Sequence, residues 1–362
     1  MPATTTLQGK PDWERVRQRY EAWWTGQLRD QPLLKVTALL PGRPAVPDPP
    51  TDPDRLLRYF TDPDEVIPRL LAQVDGTYYA GDAFPVIFPV AGRLVAIQAA
   101  YHGSPYYIMP VANSAWAEPA IPSWEGRDPI RYDPGNWWWQ ASQSLLERGA
   151  EAAVGKAVVG IPDLQGDGEI AARLRGTAEL AVDCIECPEE VRRLVEEINV
   201  AWLQYYEECL ALIHRWVPGY VDNLGVYSDR PMVTLECDFS CMVSSAMFDS
   251  IFLPGIARQA SWVERTIYHL DGPGAIRHLN SLLALDDLDG IQWQPGAAGG
   301  SMLQWIDLLR RVQEAHKLLV VGCQPWEVEP LLAQLRPEGL LVSTHCASPA
   351  EADALLEGLN LA

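Results

Sequence analysis

The stretch TIYHLDGPGAIRHLNSLLALDDLDGIQWQPG (266–296) decides how this chain is read. It opens on TIYHLDG (266–272), a short apolar run rich in β-branched and aromatic residues, which predicts a strand. A Gly-Pro-Gly turn follows, and residues 274–285 carry apolar side chains at helical spacing. GIQWQPG (290–296) is the next strand-like run. Strand, helix and strand with short connections make a βαβ unit, the repeat of a parallel sheet. The rhythm extends in both directions. Upstream, KAVVGIPDL (156–164) precedes a helix at 167–176, AELAVDCIE (178–186) is expected to be a strand before the helix at 188–213, and MVTLECDFS (232–240) precedes a helix at 245–264. Downstream come a helix at 301–315, the strand KLLVVGCQ (317–324), a helix at 326–335, the strand GLLVSTHC (339–346) and a closing helix at 349–358. Roughly eight such units in a chain of this length predict an α/β fold closed as a (β/α)8 TIM barrel. Ahead of them lie a helix at 12–27, a strand at 32–40, a proline-rich loop and a helix-like segment to 75, then an aromatic, irregular region from 76 to 140 and a helix at 137–153. The expected organisation is a disordered lead (1–11) and a single barrel domain (12–362). Its helical and irregular N-terminal extension, about 12–140, is placed to cover the barrel mouth.

Composition narrows the function. A net charge of −20 repels phosphate backbones and anionic lipid, which argues against nucleic-acid and membrane partners. No apolar run approaches the roughly 20 residues of a membrane span. Seven cysteines at irregular spacing, behind a polar N-terminus, point to reduced thiols in the cytoplasm. The one CxxC, Cys184 to Cys187, has no second pair to complete a zinc-finger set. Neither GxGxxG nor GxxxxGK[ST] occurs, so dinucleotide and P-loop chemistry lack a motif.

In a barrel, polar residues at the C-terminal ends of strands converge on one mouth. Here those ends supply Asp163, Glu236 with Asp238, His269 with Asp271, Gln292 with Gln294, Gln324, and His345 with Cys346. Positions i and i+2 share a face of a strand, so Glu236 can pair with Asp238 and His269 with Asp271. His269, Asp271 and Cys346 offer N, O and S donors, a set that zinc accepts. Alternation leaves open whether His345 or Cys346 turns inward. Glu236, Asp238 and Asp271 in one mouth would raise at least one carboxyl pKa by mutual repulsion, which suits proton transfer or the binding of a cationic substrate. Aromatic residues such as Tyr106, Tyr107 and Trp116 could add cation–π contact. The rival reading of Asp271 is a helix cap ahead of GPGAIRHL.

The strings ECDFSCMVSSAMFDSIFLPGI (236–256) and IYHLDGPGAIRHLNSLLALDDLDGIQW (267–293) resemble the uroporphyrinogen decarboxylase superfamily, in its methyltransferase-like branch around methylamine and corrinoid methyl transfer. RLRGTAELAVDCIECPEEV (173–191) and GDAFPVIFP (81–89) extend the resemblance. It implies a (β/α)8 barrel, often a homodimer. In the zinc enzymes of that branch, a His-x-Cys and a distant C-terminal Cys bind zinc and activate a thiol acceptor. The matching positions here are His269, Asp271 in place of the first Cys, and Cys346. No corrinoid-binding DxHxxG occurs, so a corrinoid would arrive on a partner protein or not at all. The arginine-rich signature for porphyrin carboxylates is missing from the N-terminal region, which disfavours heme biosynthesis.

The expectation is a cytoplasmic enzyme transferring a methyl or one-carbon group on a small amine or methoxy substrate. Glu236, Asp238, His269 and Asp271 are the expected catalytic residues, and Asp82, Trp116, Asp163, Gln292 and Gln324 the substrate contacts. His269, Asp271 and Cys346 are the expected zinc ligands. A metal-free decarboxylase or lyase of the same fold, and a non-catalytic small-molecule or corrinoid-partner binding protein, are the alternatives.

Overall fold

The computed structural model describes residues 6–43, 46–112 and 114–360. Thirteen strands run in chain order: β1 Leu33–Leu39, β2 Thr77–Gly81, β3 Val86–Ile87, β4 Tyr106–Ile108, β5 Ala115–Ala117, β6 Val158–Val159, β7 Tyr220–Val221, β8 Tyr227–Ser228, β9 Met232–Glu236, β10 Arg265–Asp271, β11 Gly290–Gln294, β12 Leu318–Gly322 and β13 Leu340–Cys346. Seven of them form a central sheet in the order β2-β1-β13-β12-β11-β10-β9, parallel throughout except for β2, which pairs antiparallel with β1. β3 and β6 form a separate parallel pair, and β4–β5 and β7–β8 are hairpins. The fold is α/β, and its main ladder is open among the described residues, with β2 and β9 at its edges.

The strands form where β-branched and aliphatic residues run together, and each of their faces is buried differently. Leu33, Met232, Ile267, Val320 and Leu341 meet on one side of the sheet with Phe84, Val158 and Val221. Their neighbours Leu34, Val233, Tyr268, Leu319 and Val342 pack on the other side under the helices. This alternation assigns every later residue of a strand to one face or the other. We call the first face inner.

Three of the early helices begin at side-chain caps. Among the described residues, eight α-helices precede β7: α1 Trp13–Trp24, α2 Pro53–Thr61, α3 Pro63–Asp75, α4 Ile97–Tyr101, α5 Trp137–Ala153, α6 Asp167–Arg175, α7 Thr177–Glu186 and α8 Pro188–His214. Asp62 both ends α2 and caps α3, accepting from the Asp64 N–H at 3.0 Å, which splits the helix-like segment expected up to residue 75. Asn136 caps α5 through the Trp139 N–H at 3.1 Å.

Two expectations differ from what is seen. AELAVDCIE lies in α7, not in a strand. Leu180, Asp183 and Cys184 are buried at helical spacing, whereas Val182 and Ile185, which a strand would have buried, are 50% and 68% exposed. Within the lead (1–11), residues 1–5 lie outside the described residues, but Leu7 and Lys10 are buried. Lys10 Nζ donates to the Gly81 carbonyl at 2.8 Å, and the Gln8 N–H donates to the Gly155 carbonyl at 2.9 Å.

α1 closes the inner face at the N-terminal ends of the strands. Trp13, Val16, Tyr20 and Trp23 bury against Leu33, Phe84 and Met232, and Arg265 at the start of β10 pairs with Glu21 at 2.8 Å. The first helix of the N-terminal extension therefore plugs the end opposite His269 and Asp271, and does not cover them. No described helix is long and apolar enough to cross a membrane.

Candidate functional site

At the C-terminal end of β10, His269 and Asp271 share the inner face with Ile267. β9 stops at Glu236, and the chain turns into a tight helical turn, Asp238–Met242. That turn brings Asp238 to the same place: single donor atoms of Asp238, His269 and Asp271 all lie within 4.8 Å of one another. Asp238 is partly buried, as are the other two. It belongs to the turn after the strand, so it reaches His269 by chain reversal and not by the strand alternation the sequence suggested.

Hydrogen bonds hold each member in place. The His269 ring meets Gln292 on the neighbouring strand, Nδ1 to Oε1. Gln292 Nε2 donates to the Trp293 carbonyl at 3.2 Å, so Oε1 is the atom left to accept. Nδ1 of His269 then carries the proton and Nε2 keeps a free lone pair. The turn bearing Asp238 is pinned by Glu169 of α6, whose Oε1 accepts from the Phe239 N–H at 2.7 Å, and by His278, which reaches the Ser240 carbonyl at 3.0 Å. Gly166 makes the approach of α6 possible, because a Cβ there would lie 1.9 Å from the Glu236 carbonyl oxygen. Asp271 stands at the start of a helical turn but makes no side-chain cap hydrogen bond. Its Oδ1 is buried without a partner, as are Oδ1 of Asp238 and Oε2 of Glu169.

Five carboxyl groups form one interacting cluster with this imidazole. Burial pushes the Glu169 carboxyl up to about 8, with Asp238 adding to the rise. Burial raises Glu236 well above the usual carboxylate range, helped by the charges of Asp163, Glu169 and Asp238. Asp163, after β6, is raised by burial and held back by the Gln165 N–H, by His269 and by Asn223. Asp238 is raised by burial and by Asp271 and Asp163, while His269 lowers it. Glu236 and Asp163 are thus gathered with Asp238, His269 and Asp271, and Gln292 joins them as the partner of His269.

The other expected site residues lie elsewhere. Cys346 is a correction: Leu341 faces inward, so His345 shares its face, and Cys346 points to the opposite side, fully buried among apolar residues. Burial raises its thiol pKa, which disfavours the thiolate a zinc ligand needs. His345 is the exposed inner residue, 3.0 Å from Thr37 Oγ1. Asp82 is a second correction. Its carboxylate is occupied by Arg19, at 2.6 and 3.0 Å, and by the Leu34 N–H at 2.9 Å, so it ties α1 to β1. Trp116 stands exposed on the β4–β5 hairpin opposite Tyr107. Gln324 is exposed, and its N–H donates to Glu327 at 2.8 Å to open the following helix. Neither enters the hydrogen bonds of the cluster. Glu169 was missed by sequence reasoning. Its signal was slight: acids set among small residues in GDGEIAA (166–172), a helix start that is buried from Asp167 to Ala172.

No protein-family model matches the chain, and no curated protein matches it. Among solved structures, a methyltransferase from Methanosarcina mazei superposes with a TM-score of 0.62 at 12% identity, covering 95% of this chain and 97% of that one. The chain shares its fold with that methyltransferase. A mandelate racemase/muconate lactonizing enzyme from Sulfitobacter sp. matches at a TM-score of 0.34 and 12% identity, over 95% of this chain and 62% of that one. A score that low supports no statement about fold.

Proposed function

We propose that the chain is an enzyme of methyl or one-carbon transfer, acting on a small amine or methoxy substrate. A divalent cation of the zinc class would be held by Asp238, His269 and Asp271. The observation that carries this reading is the donor set itself: three donor atoms within 4.8 Å, two of its carboxylates each with a buried, unpartnered oxygen. Such oxygens each cost on the order of 1–3 kcal/mol unless something binds them. One imidazole nitrogen and two carboxylates suit zinc, with positions left open for a substrate. A cation there would lower the pKa of a bound thiol or hydroxyl and so prepare a nucleophile.

The chain's own residues do the remaining work. Gln292 fixes the imidazole with Nε2 free, and Glu169 fixes the turn of Asp238. In the transfer, the nucleophile's electron pair forms the new bond to the methyl carbon. The pair of the broken N–C or O–C bond stays on the leaving group. Glu236, whose carboxyl burial and the neighbouring acids push above the usual carboxylate range, is the proton source for that group. The reading includes barrel closure. Six parallel strands of the main sheet and the parallel pair β3–β6 make the eight that a barrel needs. A single domain, a homodimer, and a corrinoid supplied on a separate protein complete the proposal.

The metal-free decarboxylase or lyase remains a second reading, favoured by the two carboxyls Glu169 and Glu236, both pushed upward by burial. Metal content separates the two. Under the first reading the purified protein takes up one equivalent of zinc, its melting temperature rises with the metal, and Asp238→Asn or His269→Ala abolishes both effects. A protein that binds no zinc and melts unchanged in its presence would overturn it.

A further inference from the structure

Lys35 lies on the inner face of β1, between Leu33 on the apolar floor and Thr37 beside His345. A lysine at mid-depth in a sheet interior needs a reason, because burying an ammonium is costly without a counter-ion. Its Nζ donates to the Gly225 carbonyl at 2.5 Å and to the Leu224 carbonyl at 3.3 Å. Among the described residues no carboxylate stands at ion-pair distance from it. Asp222 is the one charge that acts on it, and the oxygens of Asp222 are taken by the Val226 N–H and Thr234 Oγ1. Two of the three ammonium donors are therefore engaged, by neutral oxygens; the Phe84 ring centroid lies 6.0 Å from Nζ, and among the described residues the third donor has no oxygen partner.

One turn of chain connects this amine with the acid–imidazole cluster. The turn that accepts its two hydrogen bonds also carries Asn223, whose side chain favours the charged form of Asp163, as His269 does. On the sheet, the register partner of Lys35 is Ser343, and that of Ser343 is Gly322. Gly322 faces the same way as Val320, and a Cβ added to it would meet only Ser343 Oγ, at 3.5 Å. Small residues thus leave room in front of Lys35 on the side toward β10. The inner face thus carries acids with an imidazole at the ends of β9 and β10, and a lone ammonium on β1.

We propose that Lys35 binds the carboxylate of the substrate, so that the substrate class is a small N- or O-methylated carboxylic acid and not a simple alkylamine or alcohol. This rests on the methyl-transfer reading for the role of the group at the other end. The carboxylate supplies the missing counter-ion through a charge-assisted hydrogen bond, the strong kind.

The test uses the full chain with zinc present and two probes that differ only at the anionic end, N,N-dimethylglycine and N,N-dimethylethylamine, followed by calorimetry. The wild type is expected to bind the carboxylate probe on the order of tenfold or more tightly than its uncharged-end counterpart. Lys35→Met abolishes that preference while zinc affinity, measured separately, is unchanged. Lys35→Arg, which keeps charge and donors, retains most of it and serves if the methionine variant fails to fold. Equal binding of the two probes, binding of neither, or a preference that survives in Lys35→Met overturns the proposal. If zinc does not bind but the Lys35-dependent preference persists, the carboxylate site stands and the metal reading falls.

Discussion

At Asp271 two chemistries compete for one side chain. A carboxylate ahead of Gly-Pro-Gly is well placed to cap a helix, yet here it makes no cap hydrogen bond and keeps a buried oxygen unpartnered beside Asp238 and His269. The two roles give different mutants. Loss of a working N-cap costs about 1 kcal/mol. Asp271→Ala is therefore expected to leave stability against urea within about 0.5 kcal/mol, or to raise it by relieving charge repulsion, while zinc binding is lost. A loss near 1 kcal/mol with zinc affinity intact would restore the capping role. Gln292 is tested the same way. Gln292→Leu keeps the shape but releases the imidazole, and about a 10- to 100-fold loss of zinc affinity is expected in titration calorimetry. Both residues were visible in the sequence as polar groups at strand ends. Asp238 was visible too, although it arrives by a turn; Glu169 was not, because it comes from a helix remote in sequence.

Helix packing raises a different question at Asp167, the first residue of α6. It is fully buried, accepts from Asn199 Nδ2 of α8 at 2.8 Å, and leaves its other oxygen unpartnered. Burial pushes its carboxyl up to about 7 from an ordinary 3.8, against the pull of Asn199. Between about pH 4 and pH 7 the folded chain holds a proton that the unfolded chain has released. This group's contribution to stability is therefore fully present at low pH, falls as pH rises through that window, and levels off above it. Asp167→Asn should remove a slope of up to about 1.4 kcal/mol per pH unit from unfolding free energies measured between pH 5 and 7. Equal slopes in the two proteins would argue against a protonated Asp167. The same contact explains Gly255, where a Cβ would lie 2.1 Å from Asp167 Oδ2 and 2.5 Å from Asn199 Nδ2. Gly255→Ala is expected to lower the melting temperature although alanine favours helix. α7 teaches the complementary lesson. AELAVDCIE has the composition of a strand, but the decision fell to which residues the neighbouring α6 and α8 could bury, and those were Leu180, Asp183 and Cys184.

Across the whole molecule, the two ends of the parallel strands have been given different work. α1 seals the N-terminal ends with Trp13, Tyr20 and Trp23, locked by the pairs Arg265–Glu21 and Arg19–Asp82. The C-terminal ends carry the acids and the imidazole. Trp23 is fully buried, so Trp23→Ala should cost about 3–5 kcal/mol in denaturant unfolding while zinc affinity, set at the far end, stays unchanged in whatever fraction is folded. A matching loss of zinc affinity would mean that the plug shapes the site as well. The sequence by itself determined the α/β rhythm, the strand positions from β9 to β13, and the presence of His269, Asp271, Glu236 and Asp163 at strand ends, because hydrophobic periodicity and turn residues are local signals. Only the tertiary structure decided that Asp238 and not Cys346 joins His269, that Asp82 is a structural anchor, and that Lys35 stands without a carboxylate partner. Those outcomes depend on which face of a strand a residue occupies and on what a distant helix or turn brings against it, and neither is written in the spacing of residues along the chain.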